Sequence, residues 1–209
     1  MGSKIALIFG SVPCECWDFL KPLQGKCTVI CADGGLHCAR SAGFQPDFYI
    51  GDSDSGGHPE PGLAAILLKP EKDLTDLQAA YEYARDHDFR EIVLTACTGG
   101  RQDHHLANCQ LLEKANREGV HAVILDSCNE ISYLEDGAIE LDCRDFRYFS
   151  LIPLDRKLHG VRITGAKYPL DVPELLRGSS LTVSNEAPSG TAHIEIQKGA
   201  AWIILSERL

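Results

Sequence analysis

Short apolar runs recur along residues 4–125, and most of them end abruptly in glycine or acidic residues. An uninterrupted apolar run of this length predicts a strand that is buried on both faces, as in a parallel sheet. Helical periodicity separates several of the runs, most clearly in the apolar positions spaced along residues 73–85. Strands that alternate with helices predict an α/β domain with a mostly parallel, doubly wound sheet. The predicted strands are residues 4–9, 27–32, 46–50, 66–68, 91–96 and 120–125, and the predicted helices are residues 36–42, 73–85 and 104–117.

The pattern changes near residue 131, after which no long helical periodicity occurs. Residues 131–134 and 138–141 flank a Glu-Asp-Gly turn and predict a hairpin. More short strands follow, punctuated by Gly, Pro and Asp, which predicts an all-β antiparallel sandwich or barrel. We therefore predict two domains, an α/β domain over residues 1–127 and a β domain over residues 128–209. The other strands of the β domain are predicted at residues 147–152, 158–163, 181–184, 192–196 and 201–205.

The chain of 209 residues is acidic, with a formal net charge of −10, and 44% of its residues are hydrophobic. This charge argues against nucleic acid as a partner, because proteins that bind its backbone usually present a basic face. No apolar run is long enough to span a bilayer and no signal peptide is evident, so we expect no membrane partner. The nine cysteines include no C-x-x-C pair, and Cys31, Cys97 and Cys109 lie in apolar company, as buried free thiols do. Together these features predict a cytoplasmic protein.

Two carboxylates, Asp52 and Asp54, follow the apolar run Phe48-Tyr49-Ile50. This position is the predicted end of a buried strand, where ligands bind in open α/β sheets. Two Asp residues this close repel each other unless a cation joins them, and Mg²⁺ prefers carboxylate oxygen together with water and phosphate. A solvated turn of Asp, Ser and Gly residues is the alternative. An EF-hand is excluded, since Gly56 replaces an oxygen ligand and Leu63 stands where the bidentate Glu is needed.

Three further polar loops follow predicted strands: Asp33-Gly34-Gly35, Lys72-Asp73-Leu74-Thr75-Asp76, and the run from Thr98 to His104. The carboxyl ends of parallel strands share one edge of a sheet, so we expect the four loops to converge. In the second loop, Asp73 is the predicted N-cap of a helix with Asp76 at its N3 position, and simple capping is the alternative to a ligand role. Lys72 is not needed for capping and suits a phosphate.

The run Gly99-Gly100-Arg101 precedes a predicted helix and indicates an anion site. Its amides and the helix N-terminus can hold an anion, and Arg101 can add a bidentate contact. An ordinary glycine turn is the alternative, and no P-loop sequence occurs anywhere in the chain. His104 and His105 diverge by about 100° on a helix, so we do not expect both to bind one ion.

In order and spacing, the four loops resemble the motifs of the thiamine pyrophosphokinase family. Ser184-Asn185-Glu186 and Trp202 resemble the second domain of that family, so the resemblance covers nearly the whole chain. Ser53 departs from the pattern, because many members carry Phe there; we expect this difference to matter little. The matching motifs are Ala32-Asp33-Gly34-Gly35, Gly51-Asp52-Ser53-Asp54-Ser55, Lys72-Asp73-Leu74-Thr75-Asp76 and Gly99-Gly100-Arg101-Gln102-Asp103-His104.

The resemblance implies an enzyme that transfers diphosphate from ATP to the hydroxyl of thiamine, giving thiamine diphosphate and AMP. It implies an α/β domain that binds ATP and Mg²⁺, a β domain that binds thiamine, and a homodimer with its active site between subunits. The expected Mg²⁺ ligands are Asp52, Asp54 and Asp76. The residues expected to contact ATP or its metal are Asp33, Gly34, Lys72, Thr75, Thr98, Gly99, Gly100 and Arg101. The residues expected to contact thiamine are Ser184, Asn185 and Trp202.

Diphosphate transfer depends on positioning and charge neutralisation more than on covalent help from the protein, so Arg101 is also expected to assist the chemical step. Asp73 or Asp103 is expected to accept the proton of the thiamine hydroxyl. Two other functions stay open. Asp103-His104-His105 with Asp52 and Asp54 would suit a metal-dependent phosphoesterase of the DHH type, and a non-catalytic nucleotide-binding module is the second alternative.

Overall fold

The computed structural model describes residues 4–52, 59–69 and 73–209. It divides into two compact units, Met1–Ser127 and Cys128–Leu209. Each unit has a core of its own, one around Phe9 and Tyr49 and the other around Phe149 and Leu151.

The first unit is built on a parallel sheet with the strand order β6-β5-β1-β2-β3-β4. The chain moves outward from β1 through β4 and then returns to the other side of β1 with β5. The point where the strand order reverses therefore lies between β1 and β5, which is where open α/β sheets bind ligands. The strands are β1 (Ile5–Phe9), β2 (Cys27–Ala32), β3 (Phe48–Gly51), β4 (Ala64–Leu67), β5 (Glu91–Thr95) and β6 (His121–Leu125).

In the described part of the first unit, three α-helices cover the two faces of this sheet: α1 (Gly35–Ser41), α2 (Asp76–Asp86) and α3 (Gln102–Arg117). Neighbouring residues of a strand point to opposite faces. Phe48 packs against Tyr83 of α2, whereas Tyr49 belongs to the core cluster that includes Leu36 of α1. The helices α1 and α2 therefore lie on opposite faces, which confirms the predicted doubly wound sheet. A 3-10 helix (Asp18–Leu23) lies between β1 and β2.

The start of α2 differs from the prediction. Thr75, not Asp73, is the N-cap, and its hydroxyl accepts a hydrogen bond from the Gln78 amide at 3.2 Å. Asp76 is consequently the first residue of the helix rather than its N3 residue. Both Thr and Asp are good N-caps, so composition alone did not distinguish them.

Gly35 lets α1 begin directly against the end of β1. A methyl group at this position would lie 2.0 Å from the carbonyl oxygen of Phe9, far inside van der Waals contact. The helix start is therefore fixed next to β1 only because this residue lacks a side chain.

The second unit is antiparallel and is organised around β11, a strand of 18 residues. β11 pairs with β7 along its length, with β9 through its first half and with β8 through its second half. The register shifts between Ile196 and Ala200, around Gly199 with φ of 114°. β11 thus changes partners at a local irregularity instead of ending. The strands are β7 (Asn129–Asp142), β8 (Phe146–Pro153), β9 (Lys157–Thr164), β10 (Leu170–Leu176) and β11 (Thr191–Arg208).

Several predicted β elements were wrong in detail. The Glu-Asp-Gly turn lies inside the continuous strand β7, and the two predicted strands at residues 192–196 and 201–205 are one strand. Residues 181–184 form turns and bends, with only a single bridge between Asn185 and Phe149. The strand β10 was missed because Pro173 and its acidic neighbours disguise it. Among the described strands β10 pairs only with β9, and an edge strand of this kind tolerates a residue without an amide donor.

All nine cysteines are free thiols, and Cys31, Cys97 and Cys109 are buried as predicted. Burial raises the pKa of the Cys31 thiol to about 12 and that of Cys109 to about 11. Among the described residues, no helix combines the length and apolar character needed to cross a bilayer.

Candidate active site

A cleft of about 290 Å³ opens at the carboxyl ends of β1, β2 and β5, at the point where the strand order reverses. The starts of α2 and α3 complete its walls. Five separate segments of the chain contribute polar and apolar residues to the cleft, as expected for a site at the ends of parallel strands. The lining residues are Gly10, Ser11, Val12, Ala32, Asp33, Thr75, Asp76, Leu77, Ala96, Cys97, Gly99, Arg101, His104 and Asn108.

Asp33 is the most buried carboxylate of the cleft, with 5% of its surface exposed. It adopts a left-handed backbone conformation with φ of 45°, directly after β2. Its amide donates to the carbonyl of Ile50, and its Oδ1 accepts a hydrogen bond of 2.9 Å from the hydroxyl of Tyr49. Hydrogen bonds therefore hold Asp33 through both its backbone amide and its carboxylate.

The N-terminal turn of α2 faces the cleft through Thr75, Asp76 and Leu77. Free amides and the helix dipole make such a helix end favourable for an anion. A phosphate beside the Asp76 carboxylate would be repelled, unless a cation lies between them. The combination therefore favours a metal-bound phosphate over a bare anion.

Arg101 is one of the lining residues, and its guanidinium forms a bidentate ion pair with Asp103, at 3.2 Å from Nε to Oδ1 and 2.6 Å from the second nitrogen to Oδ2. Both side chains are exposed, so this pair is weak and its Arg is available to a stronger anion. The hydrogen bonds from Arg101 and from the His104 amide lower the pKa of Asp103 to about 2. Such a carboxylate is a poor proton acceptor near neutral pH.

The glycine loop after β5 is tied to α3 and to the end of β6. The Gly99 amide, which was expected to bind phosphate, donates to Nδ1 of His105 at 3.3 Å. Nε2 of His105 lies 3.9 Å from Sγ of Cys109. Thr98 donates its hydroxyl hydrogen bond to Asp126 at 2.8 Å and does not line the cleft. The two residues therefore anchor the loop in this structure.

The sequence identified only part of the cleft. Ser11 and Asn108 line it but were not among the predicted site residues, and His104 lines it but was named only within a motif and in the phosphoesterase alternative. Ser11 follows a buried strand in the same way as Asp33 does, and that signal would have found it. Asn108 lies four residues after His104, on the same helix face. Its side-chain amide donates 2.9 Å to the carbonyl of Cys97, which joins α3 to the loop after β5.

The structure places the predicted N-terminal site residues in three groups. Asp33, Thr75, Asp76, Gly99 and Arg101 line the cleft together. Lys72 and Asp54 lie outside the described residues. The described residues that do not line the cleft are Gly34, Asp52, Asp73, Thr98, Gly100 and Asp103.

Mg²⁺ fits the chemistry of the donors in this cleft. Asp33 and Asp76 supply carboxylate oxygens, and Asp52 follows the neighbouring strand end. Within residues 4–52, 59–69 and 73–209, no group of three or more His, Cys, Asp or Glu side chains is assembled for a metal ion. Mg²⁺ is commonly bound by one or two carboxylates with water and substrate phosphate, so two cleft carboxylates are sufficient for this mode.

The three predicted thiamine residues lie in the second unit, around β8. The backbone of Asn185 pairs with Phe149 of β8, and Trp202 of β11 lies opposite Ile152 on the other side of the same strand. The Ser184 amide donates to the hydroxyl of Ser150 at 3.0 Å. Within the described part of the chain, the buried indole N–H of Trp202 finds no acceptor.

Asn185 is buried and its side chain is already engaged. Its Oδ1 accepts from the amides of Tyr168 and Glu186, and its Nδ2 donates to the Tyr168 carbonyl at 2.8 Å. These bonds hold two loop segments together. The Asn185 side chain therefore fixes the positions of the loop segments that contain Tyr168 and Glu186.

Comparison with known proteins assigns the same family to both halves of the chain. The family model described as "Thiamin pyrophosphokinase, catalytic domain" matches residues 19–124, and "Thiamin pyrophosphokinase, vitamin B1 binding domain" matches residues 138–201. A thiamine pyrophosphokinase of Bacillus subtilis (strain 168) is 32% identical over 181 residues, which cover 83% of this chain and 85% of that protein.

Two solved structures extend this similarity to the fold. The thiamine pyrophosphokinase of Bacillus subtilis superposes with a TM-score of 0.86 at 29% identity, covering 99% of this chain and 100% of that chain. The enzyme of Geobacillus thermodenitrificans gives a TM-score of 0.85 at 29% identity, with 97% of each chain covered.

Proposed function

This chain belongs to the thiamine pyrophosphokinase family, and from that premise we infer that it transfers diphosphate from ATP to the hydroxyl of thiamine. The products are thiamine diphosphate and AMP, with ATP as the co-substrate. The observation that supports this most directly is the cleft at the strand-order reversal, which is lined by Asp33, Arg101 and the N-terminal turn of α2 with Asp76. Phosphate groups and a hard cation together satisfy this mixture of charges.

We assign the phosphate contacts to the groups that bear positive charge at the cleft. The N-terminal turn of α2, begun by Thr75, orients one part of the triphosphate, and Arg101 exchanges its exposed bond with Asp103 for a phosphate. Asp33 and Asp76, with Asp52 and Asp54, would hold Mg²⁺, which withdraws charge from phosphate oxygens when bound. Lys72 joins the phosphate contacts in this proposal.

The proton acceptor for the thiamine hydroxyl is assigned to Asp73 rather than Asp103. When Arg101 turns to a phosphate, Asp103 keeps the hydrogen bond of 3.0 Å from the His104 amide, which lowers its pKa and reduces its affinity for a proton. Asp73 precedes the N-cap Thr75 and is exposed. Asp73 does not line the cleft but stands two residues before Thr75, which does, so this assignment requires the thiamine hydroxyl to lie within hydrogen-bond reach of Asp73.

Thiamine is assigned to the second unit, with Trp202 offering an aromatic face to its cationic thiazolium. Ser184 has a left-handed backbone with φ of 58° and adjoins the buried Asn185. Asn185 then acts by holding the loop segments of Tyr168 and Glu186 in place.

We also propose a homodimer and a cytoplasmic location. Sedimentation at micromolar concentration should give twice the 22.9 kDa mass of one chain, and a mass of 22.9 kDa would contradict the dimer.

The reaction is tested by incubating the protein with ATP, Mg²⁺ and thiamine and separating the products by chromatography. AMP and thiamine diphosphate should form in equal amounts, and neither should form when thiamine is omitted. Phosphate released without thiamine would indicate a phosphoesterase, and no turnover would indicate a binding module.

The phosphoesterase is not supported by the geometry, because both ring nitrogens of His105 are directed at protein groups, Gly99 and Cys109.

A further inference from the structure

Tyr49 is a buried residue whose hydroxyl donates a hydrogen bond to the carboxylate of Asp33, a residue that lines the cleft. It lies in the middle of β3 (Phe48–Gly51) and is 0% exposed, with its ring in the apolar cluster under α1. A phenol in such a core needs a polar partner, because an unpaired hydroxyl there is costly. The partner is Oδ1 of Asp33, at 2.9 Å.

The contact between Tyr49 and Asp33 is enforced by the backbone around it. Gly51, two residues after Tyr49 on the same face of β3, leaves room for both groups. A methyl group at Gly51 would lie 2.9 Å from the Tyr49 hydroxyl and 2.9 Å from Cα and Cβ of Asp33. The Asp33 amide is in turn bonded to the Ile50 carbonyl at 2.9 Å. The Asp33 carboxylate is therefore packed against β3 and has little freedom to turn.

We propose that Tyr49 is a positioning residue, which orients the Asp33 carboxylate in the cleft without touching either substrate. The proposal rests on the function proposed above, in which Asp33 helps to hold Mg²⁺ and the phosphates of ATP. One oxygen of the carboxylate points to the core and accepts the phenol hydrogen, which fixes the torsion of the whole group. Outer partners of this kind typically change metal affinity or activity by roughly 10- to 100-fold when they are removed.

The test is Tyr49→Phe, which removes the hydroxyl and keeps the ring. Tyr81→Phe is a matched control: Tyr81 is also 0% exposed in the same unit, and its hydroxyl donates 2.7 Å to Glu118, which does not line the cleft. We expect kcat for thiamine diphosphate formation to fall roughly tenfold in Tyr49→Phe. It should stay within about twofold of wild type in Tyr81→Phe, although both variants lose a hydrogen bond from a buried tyrosine to a carboxylate.

A double variant determines whether the hydroxyl acts through Asp33. Asp33→Asn alone should lower kcat at least as much as Tyr49→Phe, and adding Tyr49→Phe to it should cost less than about twofold more. In parallel, titration calorimetry of ATP with saturating Mg²⁺ should show an affinity about tenfold weaker for Tyr49→Phe and unchanged for Tyr81→Phe. Thermal melts of all variants confirm that each is folded during the measurements.

Three outcomes would overturn the proposal. In the first, Tyr49→Phe keeps the kcat and the ATP affinity of the wild-type protein. In the second, kcat falls equally in Tyr49→Phe and Tyr81→Phe. In the third, the fold-losses of kcat from Asp33→Asn and Tyr49→Phe multiply in the variant that carries both. If the wild-type protein makes no thiamine diphosphate, the proposed function fails instead. The calorimetric comparison of the two Tyr variants then still decides whether Tyr49 orients a nucleotide-binding carboxylate.

Discussion

At the scale of single residues, Asp33 and Asp76 show two ways of placing a carboxylate in one cleft. Asp33 is buried at a strand end and is held by Tyr49 and Ile50. Asp76 is the first residue of α2, where the helix dipole stabilises its negative charge. Each is placed by a different element, so their spacing depends on the packing of α2 against the sheet.

Replacing Asp76 by Asn should abolish most of the activity while leaving the fold intact. The amide keeps the shape of the side chain but loses the charge that the proposed Mg²⁺ site needs. We expect kcat to fall by roughly 100-fold or more. The free energy of unfolding should fall by no more than about 1 kcal/mol, the value of a charge at a helix N-terminus. Product assays and urea denaturation measure the two effects separately.

Asp86→Asn is the matched control for this variant. Asp86 is the last residue of the same helix and forms an exposed pair with Arg85, far along α2 from the cleft. Its substitution should leave kcat unchanged. If Asp76→Asn retained near-normal turnover with Mg²⁺, the metal role of Asp76 would be wrong.

The sequence predicted those residues of the cleft for which a local rule exists. Asp33, Asp76 and Arg101 follow buried strands or begin helices, and the strand-end rule is a rule about sequence position. Tyr49 could not be found in this way. In the sequence it is one more apolar residue of a strand, and its role depends on a hydroxyl 16 positions away from its partner.

At the scale of elements, α2 and α3 are joined by a cluster around Glu118. This carboxylate accepts hydrogen bonds from Tyr81 at 2.7 Å and Arg85 at 2.8 Å, both on α2, and lies 3.0 Å from Lys114 of α3. Partial burial raises the pKa of Glu118, but the three partners outweigh it and lower that pKa to about 2. The charged form is therefore the one that stabilises the helix pair.

The stabilisation by Glu118 should be present above its ordinary pKa of 4.5 and be lost as the pH falls towards 2. Glu118→Gln should lower the free energy of unfolding at neutral pH by about 2 kcal/mol, a figure reduced from the full shift because 28% of the side chain is exposed. The difference in the free energy of unfolding between Glu118→Gln and the wild-type protein should shrink as the pH falls from 4.5 towards 2. Urea denaturation at a series of pH values measures it.

Glu113→Gln supplies the reference for this comparison. Glu113 lies on α3 and forms an exposed ion pair with Arg117, at 3.7 Å. Its curve should follow that of the wild-type protein. A constant gap between Glu118→Gln and wild type from neutral to acidic pH would show that the charge of Glu118 is not responsible.

Gly35→Ala should destabilise the first unit, although Gly→Ala in a helix normally stabilises. The new methyl group would meet the Phe9 carbonyl at 2.0 Å, so α1 must move away from β1. We expect a loss of about 2 kcal/mol or more in thermal or urea unfolding. Gly137→Ala is the control, because its nearest atom would be 3.8 Å away. Equal stabilities of the two variants would contradict the close approach.

The elements themselves were predictable to different extents in the two halves. Within the described residues of the first unit, each of the six strands overlaps a predicted one; five of them contain buried residues of an apolar run, whereas the residues of β4 are all exposed. In the second unit, β11 continues through Gly199 by changing partners, and β10 contains Pro173. Both features depend on which strand lies alongside, and that information is not local to the sequence.

At the scale of the whole molecule, the formal net charge of −10 places a cationic and an anionic substrate in the same negative field. Thiamine carries a positive thiazolium ring and is attracted, whereas ATP is repelled except where a cation, a helix end or Arg101 offsets the field. Salt screens both long-range effects, because the Debye length falls to about 8 Å at physiological ionic strength. Salt should therefore weaken the binding of thiamine but not that of ATP.

Raising NaCl from about 20 mM to about 300 mM should raise the KM for thiamine by roughly threefold. Over the same range, the KM for ATP should stay constant or fall, since repulsion is weakened while the Mg²⁺ concentration is kept fixed. Initial rates at saturating levels of the other substrate separate the two constants, and KCl should give the same result as NaCl if screening is the cause. A KM for thiamine that is independent of salt would mean that the acidic surface does not guide this substrate. Values that rise equally for both substrates would indicate that salt acts on the protein instead.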